Sequence, residues 1–166
     1  TENRLISRVL LALKPSKELQ TRVLSPIKSE LDIERANCSL FVSAHLRIEP
    51  DARREIFLHG CLNGHNFVKS LYLFLSANEQ STNICMYAAT GLTVKEDIYR
   101  MMPELKRFAA ENNVKIITLG DLVGDKRILT WLASAPDLRA AIESHVVATS
   151  MPAAVIGCSS STFFQA

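Results

Sequence analysis

The chain has 166 residues, 48% of them hydrophobic and 22% charged, with a formal net charge of +2. That is enough apolar material for one domain with its own core. The charge gives no concentrated basic face for nucleic acid, and no apolar run reaches the roughly 18 residues that span a bilayer.

The first stretch reads as a helix. Leu5, Val9 and Leu13 fall on one stripe with Ile6 and Leu10 beside it, and Lys14-Pro15 ends it. Val9 to Leu13 is short and flanked by charge, so no signal peptide is read there. Ser16 caps a second short helix that Pro26 stops near Leu24. Residues 15–30 then serve as a docking helix or as an arm against a partner.

Cys38 to Arg47 alternates as a strand, with Leu40, Val42 and Ala44 on one face and Ser39, Phe41, Ser43 and His45 on the other. His45 at its end is read as a hydrogen-bonded structural histidine in preference to a ligand. A charged turn at 49–55 and a strand over 56–62 follow. His59, Cys61 and His65 are close in sequence, but His-x-Cys-x3-His matches no closed zinc pattern and no fourth ligand is evident.

Gly64-His65-Asn66 opens the central stretch. Phe67, Val68, Leu71, Phe74 and Leu75 recur at helical spacing, which predicts a helix over 66–77 capped by Asn66 with His65 just outside. A dipole at that end disfavours charged imidazole and favours anions. Residues 83–88 read as a short buried strand, and Thr93 as the cap of a turn through Val94, Ile98 and Met101. Pro103 opens a helix over 103–112 with Leu105, Phe108 and Ala109 inward, and Asn112-Asn113 suits a left-handed stop. Residues 114–119 form the next strand, which Gly120-Asp121-Leu122 leaves.

Residues 127–133 predict a short helix with Trp131 on its apolar side. Ser134 caps another, with Pro136 in its first turn and Leu138, Ala141, Ile142 and His145 along its face. Ala153 to Ile156 is a terminal strand running into Gly157-Cys158-Ser159-Ser160-Ser161. The four cysteines, at 38, 61, 85 and 158, show no CxxC spacing. They are read as reduced thiols in a cytoplasmic chain.

The run Met102-Pro103-Glu104-Leu105-Lys106-Arg107-Phe108-Ala109, continued through Val114-Lys115-Ile116-Ile117-Thr118-Leu119-Gly120-Asp121-Leu122, resembles the 3,4-dihydroxy-2-butanone 4-phosphate synthase family of riboflavin biosynthesis. Gly64-His65-Asn66 is similar to the family's Gly-His-Thr motif, and Ile84-Cys85-Met86 to its Ile-Cys-Glu strand. The resemblance implies an α/β (α+β) fold, a mixed sheet with helices packed on it, in one shortened domain over 1–166. It implies a ligand of the sugar-phosphate class and Mg2+ or Mn2+ as cofactor. Residue by residue it implies His65 as metal ligand and as acid and base, Asp121 as its catalytic support, and Arg100, Asp51 and Arg53 as substrate-binding groups. It also implies a pocket shared by two chains, in a homodimer or in a heterodimer with a related chain.

Two departures shape the functional expectation. The family's acidic, arginine-containing N-terminal loop has no counterpart in residues 1–35, and its glutamate falls on Met86. The expected protein is therefore a diverged, lyase-like relative without the parent reaction in the isolated chain. A non-catalytic subunit or binding module is the first alternative. An unrelated α/β enzyme using Cys158 as nucleophile is the second.

Overall fold

The computed structural model describes residues 16–46, 48, 64–78 and 82–157, and of 64–66 the backbone alone. The expected helix over 1–15, the turn at 49–55 and the strand over 56–62 lie outside the described residues.

Ser16 caps the first helix as expected, its side chain accepting from the Leu19 amide at 3.1 Å. Pro26 does not stop it. Helix α1 (Lys17–Leu19) passes through a π-helical segment, Gln20–Leu24, directly into α2 (Ser25–Ala36). A proline lacks the N–H that an α-turn requires. The wider π-turn just before it lets the helix continue without that bond.

Among the described residues four strands follow: β1 (Leu40–His45), β2 (Ile84–Ala89), β3 (Val114–Ile117) and β4 (Ala154–Gly157). They form one sheet in the order β3-β2-β1-β4, and every pairing is parallel. Among the described residues the sheet is therefore parallel and not mixed as expected. Each connection between strands contains at least one helix, and such crossovers return the chain in the same direction.

Those crossovers divide between two faces. Helix α3 (Gly64–Ser76) links β1 to β2, while α4 (Lys95–Met101) and α5 (Pro103–Glu111) link β2 to β3. They cover the face of Leu40, Val42, Ala44, Met86 and Ile116 with Phe67, Leu71, Ile98, Leu105 and Phe108. The return to β4 runs through α6 (Leu119–Leu122), α7 (Lys126–Ala133) and α8 (Pro136–Ser150). These pack with α2 on the other face, where Phe41, Cys85, Tyr87 and Ile117 meet Ile27, Leu31, Leu122, Leu132, Ile142 and Val146. A right-handed crossover must change face when it changes direction along the sheet, so the fold is doubly wound.

Several local expectations shift. Helix α3 begins at Gly64, which puts His65 and Asn66 inside the helix, not before it. Asn113 takes the left-handed conformation, with φ 52°. Val94, not Thr93, precedes α4, because the Thr93 carbonyl is taken by Gly120. Trp131 is 46% exposed, and Leu132 is the buried residue of α7. Ser134 closes α7 through the Trp131 carbonyl, and α8 starts after Ala135 without a side-chain cap. The buried face of α8 is Ile142, Glu143, Val146, Val147 and Ser150, which leaves His145 outside it. Cys38 and Cys85 are joined by a disulfide, so these two are not the free thiols expected.

Candidate functional site at the carboxyl edge of the sheet

In a doubly wound sheet the connections on either side of one strand pair depart in opposite directions, leaving a crevice beyond the carboxyl ends of those strands. By strand order that reversal falls between β1 and β4, and the chain after Gly157 lies outside the described residues. His45 ends β1 and is in register with Gly157 at the end of β4 and with Ala89 at the end of β2. The next residue, Leu46, donates its N–H to the Ala89 carbonyl at 2.9 Å and continues the ladder past His45.

Buried polar groups gather at this edge. Thr90, just beyond β2, donates its N–H to Glu143 Oε1 at 3.1 Å. That carboxylate comes from the middle of α8, and Glu143 is itself buried. Tyr87 lies two strand positions before Ala89, on the same face. Its hydroxyl is buried and, among the described residues, has no hydrogen-bond partner. Burial first, and the Glu143 charge second, hold the phenol well above its ordinary pKa. Away from the edge, Ser43 in the middle of β1 lies 3.4 Å from the hydroxyl of Ser150, which ends α8 ahead of β4.

Asp121 also lies at this edge, at the end of β3. Thr118 and Asp121 form a capping box for α6: the Thr118 amide donates to Asp121 Oδ2 at 2.8 Å, and the Asp121 amide donates to Thr118 Oγ1 at 3.3 Å. Lys95 approaches the same carboxylate at 3.6 Å. Tyr99 is shifted upward by partial burial, then by Glu96 and Asp121. The Asp121 carboxylate is thus engaged as a cap. Gly120 donates to the Thr93 carbonyl at 3.0 Å, and a Cβ at Gly120 would collide with that carbonyl. The glycine allows the β2–α4 turn and the end of β3 to touch.

The other expected site residues are not gathered here. Arg100 is 76% exposed at its side chain and pairs with Asp97 at 3.0 Å on its own helix. His65 is the second residue of α3, where the backbone alone is described. Asp51 and Arg53 lie outside the described residues. Met86, matched above to a family glutamate, is in the middle of β2 and fully buried in the apolar cluster, away from the edge. Among the described residues no group of three or more His, Cys, Asp or Glu side chains could hold a metal ion. The implied Mg2+ or Mn2+ therefore has no ligand set there, and no step is derived through it. Glu143 escaped the sequence reading because an acid among apolar positions looks like the solvent side of a helix.

The fold and this edge define a doubly wound parallel α/β domain. No family profile, curated protein or solved structure matches the chain. No helix among the described residues is long and apolar enough to cross a membrane.

Proposed function

We propose that the chain binds a small phosphorylated polyol of the sugar-phosphate class in the crevice beyond β1 and β4. On this reading it is a diverged relative of the 3,4-dihydroxy-2-butanone 4-phosphate synthases that lacks the parent reaction as an isolated chain. One observation carries the location: the sheet order β3-β2-β1-β4, which reverses winding at β1 and β4. This is an argument from fold, and the sequence resemblance supplies the ligand class. His45 supplies an imidazole at the mouth, and Lys95 supplies a cation near Asp121. The buried Met86 supports loss of the parent chemistry, since that position offers neither a carboxylate nor access to the edge.

The test is a thermal melt with ribulose 5-phosphate, with and without magnesium. A ligand at about 100 times its Kd adds about 2.7 kcal/mol, a rise on the order of 5–10 °C for a chain of this size. His45→Ala should abolish that rise. An unchanged melting temperature in the wild type with either addition contradicts the reading. Formate should not be released above a protein-free control, and its release at about 1 per second would contradict the loss of parent activity.

The Cys158 alternative rests on a residue outside the described ones. A cytoplasmic address is not part of the proposal, because disulfides such as Cys38–Cys85 are characteristic of oxidising compartments.

A further inference from the structure

Asn37-Cys38-Ser39 is the only Asn-x-Ser/Thr triplet in the chain. Such a triplet is the acceptor motif for N-linked glycosylation, which needs an asparagine at the surface of a secreted protein. The triplet alone is common in proteins that never carry a glycan. Here it coincides with two independent features of the structure.

The first is the bridge inside it. Cys38, the middle residue, is joined to Cys85, and such bridges are characteristic of the oxidising, secretory compartments in which secreted proteins mature. The second is placement. Asn37 is the exposed C-cap of α2, in the turn between that helix and β1. Its backbone N–H serves the helix end and donates to the Glu34 carbonyl at 3.2 Å. Its side-chain Nδ2 donates to the Ile33 carbonyl at 3.1 Å. A primary amide has two N–H groups, so one hydrogen can be replaced while the other keeps that bond. The turn lies at the amino end of the parallel sheet, opposite the candidate crevice, and a glycan there leaves that edge clear.

We propose that Asn37 is an N-glycosylation site. The donor class is an oligosaccharide carried on a polyprenyl diphosphate. The bond from Nδ2 to sugar C1 forms as the bond from C1 to the diphosphate oxygen breaks. The diphosphate leaves with the electron pair, and the amide proton is released to water. The fold also sets the order of events. In the folded chain Ser39 Oγ donates to the Asn83 carbonyl at 2.9 Å and accepts from the Asn83 N–H at 3.0 Å. Cys38 is held to β2 by its bridge. A transferase reads the asparagine and the hydroxyl together, so the glycan is added before β1 pairs with β2 and before the bridge closes.

The test is peptide mass spectrometry on the protein from its native source, reduced and cleaved with trypsin. The peptide spanning 36–47 should carry hexose and N-acetylhexosamine that peptide-N-glycosidase removes. The same peptide found wholly unmodified overturns the proposal. Variants directed through the secretory pathway of cultured eukaryotic cells locate the site. Asn37→Gln and Ser39→Ala should each abolish the glycosidase-sensitive gel shift, and Ser39→Thr, which keeps a hydroxyl, should retain it. A shift that persists in Asn37→Gln overturns the assignment. Cell-retained and secreted protein are read together, so a variant that fails to fold still reports. Cys85→Ser keeps the triplet but cannot close the bridge, so its occupancy should equal or exceed that of the wild type. Lower occupancy would contradict addition ahead of bridge closure.

Discussion

Tyr87 carries a phenol into the interior, where its hydroxyl finds no hydrogen-bond partner among the described residues. Removing an unsatisfied buried donor costs nothing, so Tyr87→Phe should be neutral or stabilising by up to about 1 kcal/mol at neutral pH. The raised pKa fixes the sign at high pH. The neutral phenol is favoured in the folded state, so its contribution is complete below the ordinary value near 10 and is lost as pH rises above it. Alkaline unfolding should therefore be shallower in Tyr87→Phe than in the wild type, as urea midpoints at pH 9 and 11 would register. Asp125 runs the other way: hydrogen bonds from the Arg127 side chain and amide hold its carboxyl below the ordinary range. Its help to the start of α7 is present at neutral pH and is lost as pH falls through that lowered value. The Arg127 amide resonance should report the release in an acid titration. Met86→Glu places a carboxylate where no polar partner reaches, and should cost more than about 4 kcal/mol. A stable Met86→Glu protein that releases formate would contradict the account of that position.

At the scale of elements, the periodic segments were legible and their ends less so. Phe67, Leu71, Leu105 and Phe108 occupy the core positions their spacing indicates, and β1 and β2 lie within a residue or two of their expected limits. Pro26 misled because a proline reads as a stop unless a π-turn precedes it, and no residue pattern announces that turn. Thr93 and Ser134 look like caps, but each has its local bonding used elsewhere. The Cys38–Cys85 bridge joins the approach to β1 with β2 across a separation of 47 residues. It becomes apparent only once the two strands are known to be neighbours. Reduction should cost about 2–4 kcal/mol by freeing that loop in the unfolded chain, measured as the loss of urea stability in dithiothreitol. Gly120→Ala forces a methyl group against the Thr93 carbonyl and should cost about 1–3 kcal/mol, with the largest chemical shift changes at residues 91–93.

At the scale of the molecule, strand order decides where a site can lie, and strand order was not legible. Short apolar strands identify themselves locally, whereas the placement of β4 beside β1 depends on a return over three helices. The candidate site changed with it. The sequence pointed to His65 and Asp121, while the fold pairs His45 with Gly157 at the carboxyl end of the sheet and commits Asp121 to a helix cap. The most direct measurement is a nitrogen-15 NMR titration of the whole chain with ribulose 5-phosphate. The account predicts saturable shifts confined to His45, Leu46, Thr90–Leu92, Thr118–Asp121 and Gly157. Absence of shifts would contradict it. So would shifts centred on the groove of about 420 Å3 between α3 and α5, lined by Lys69, Tyr72, Leu73 and Arg107.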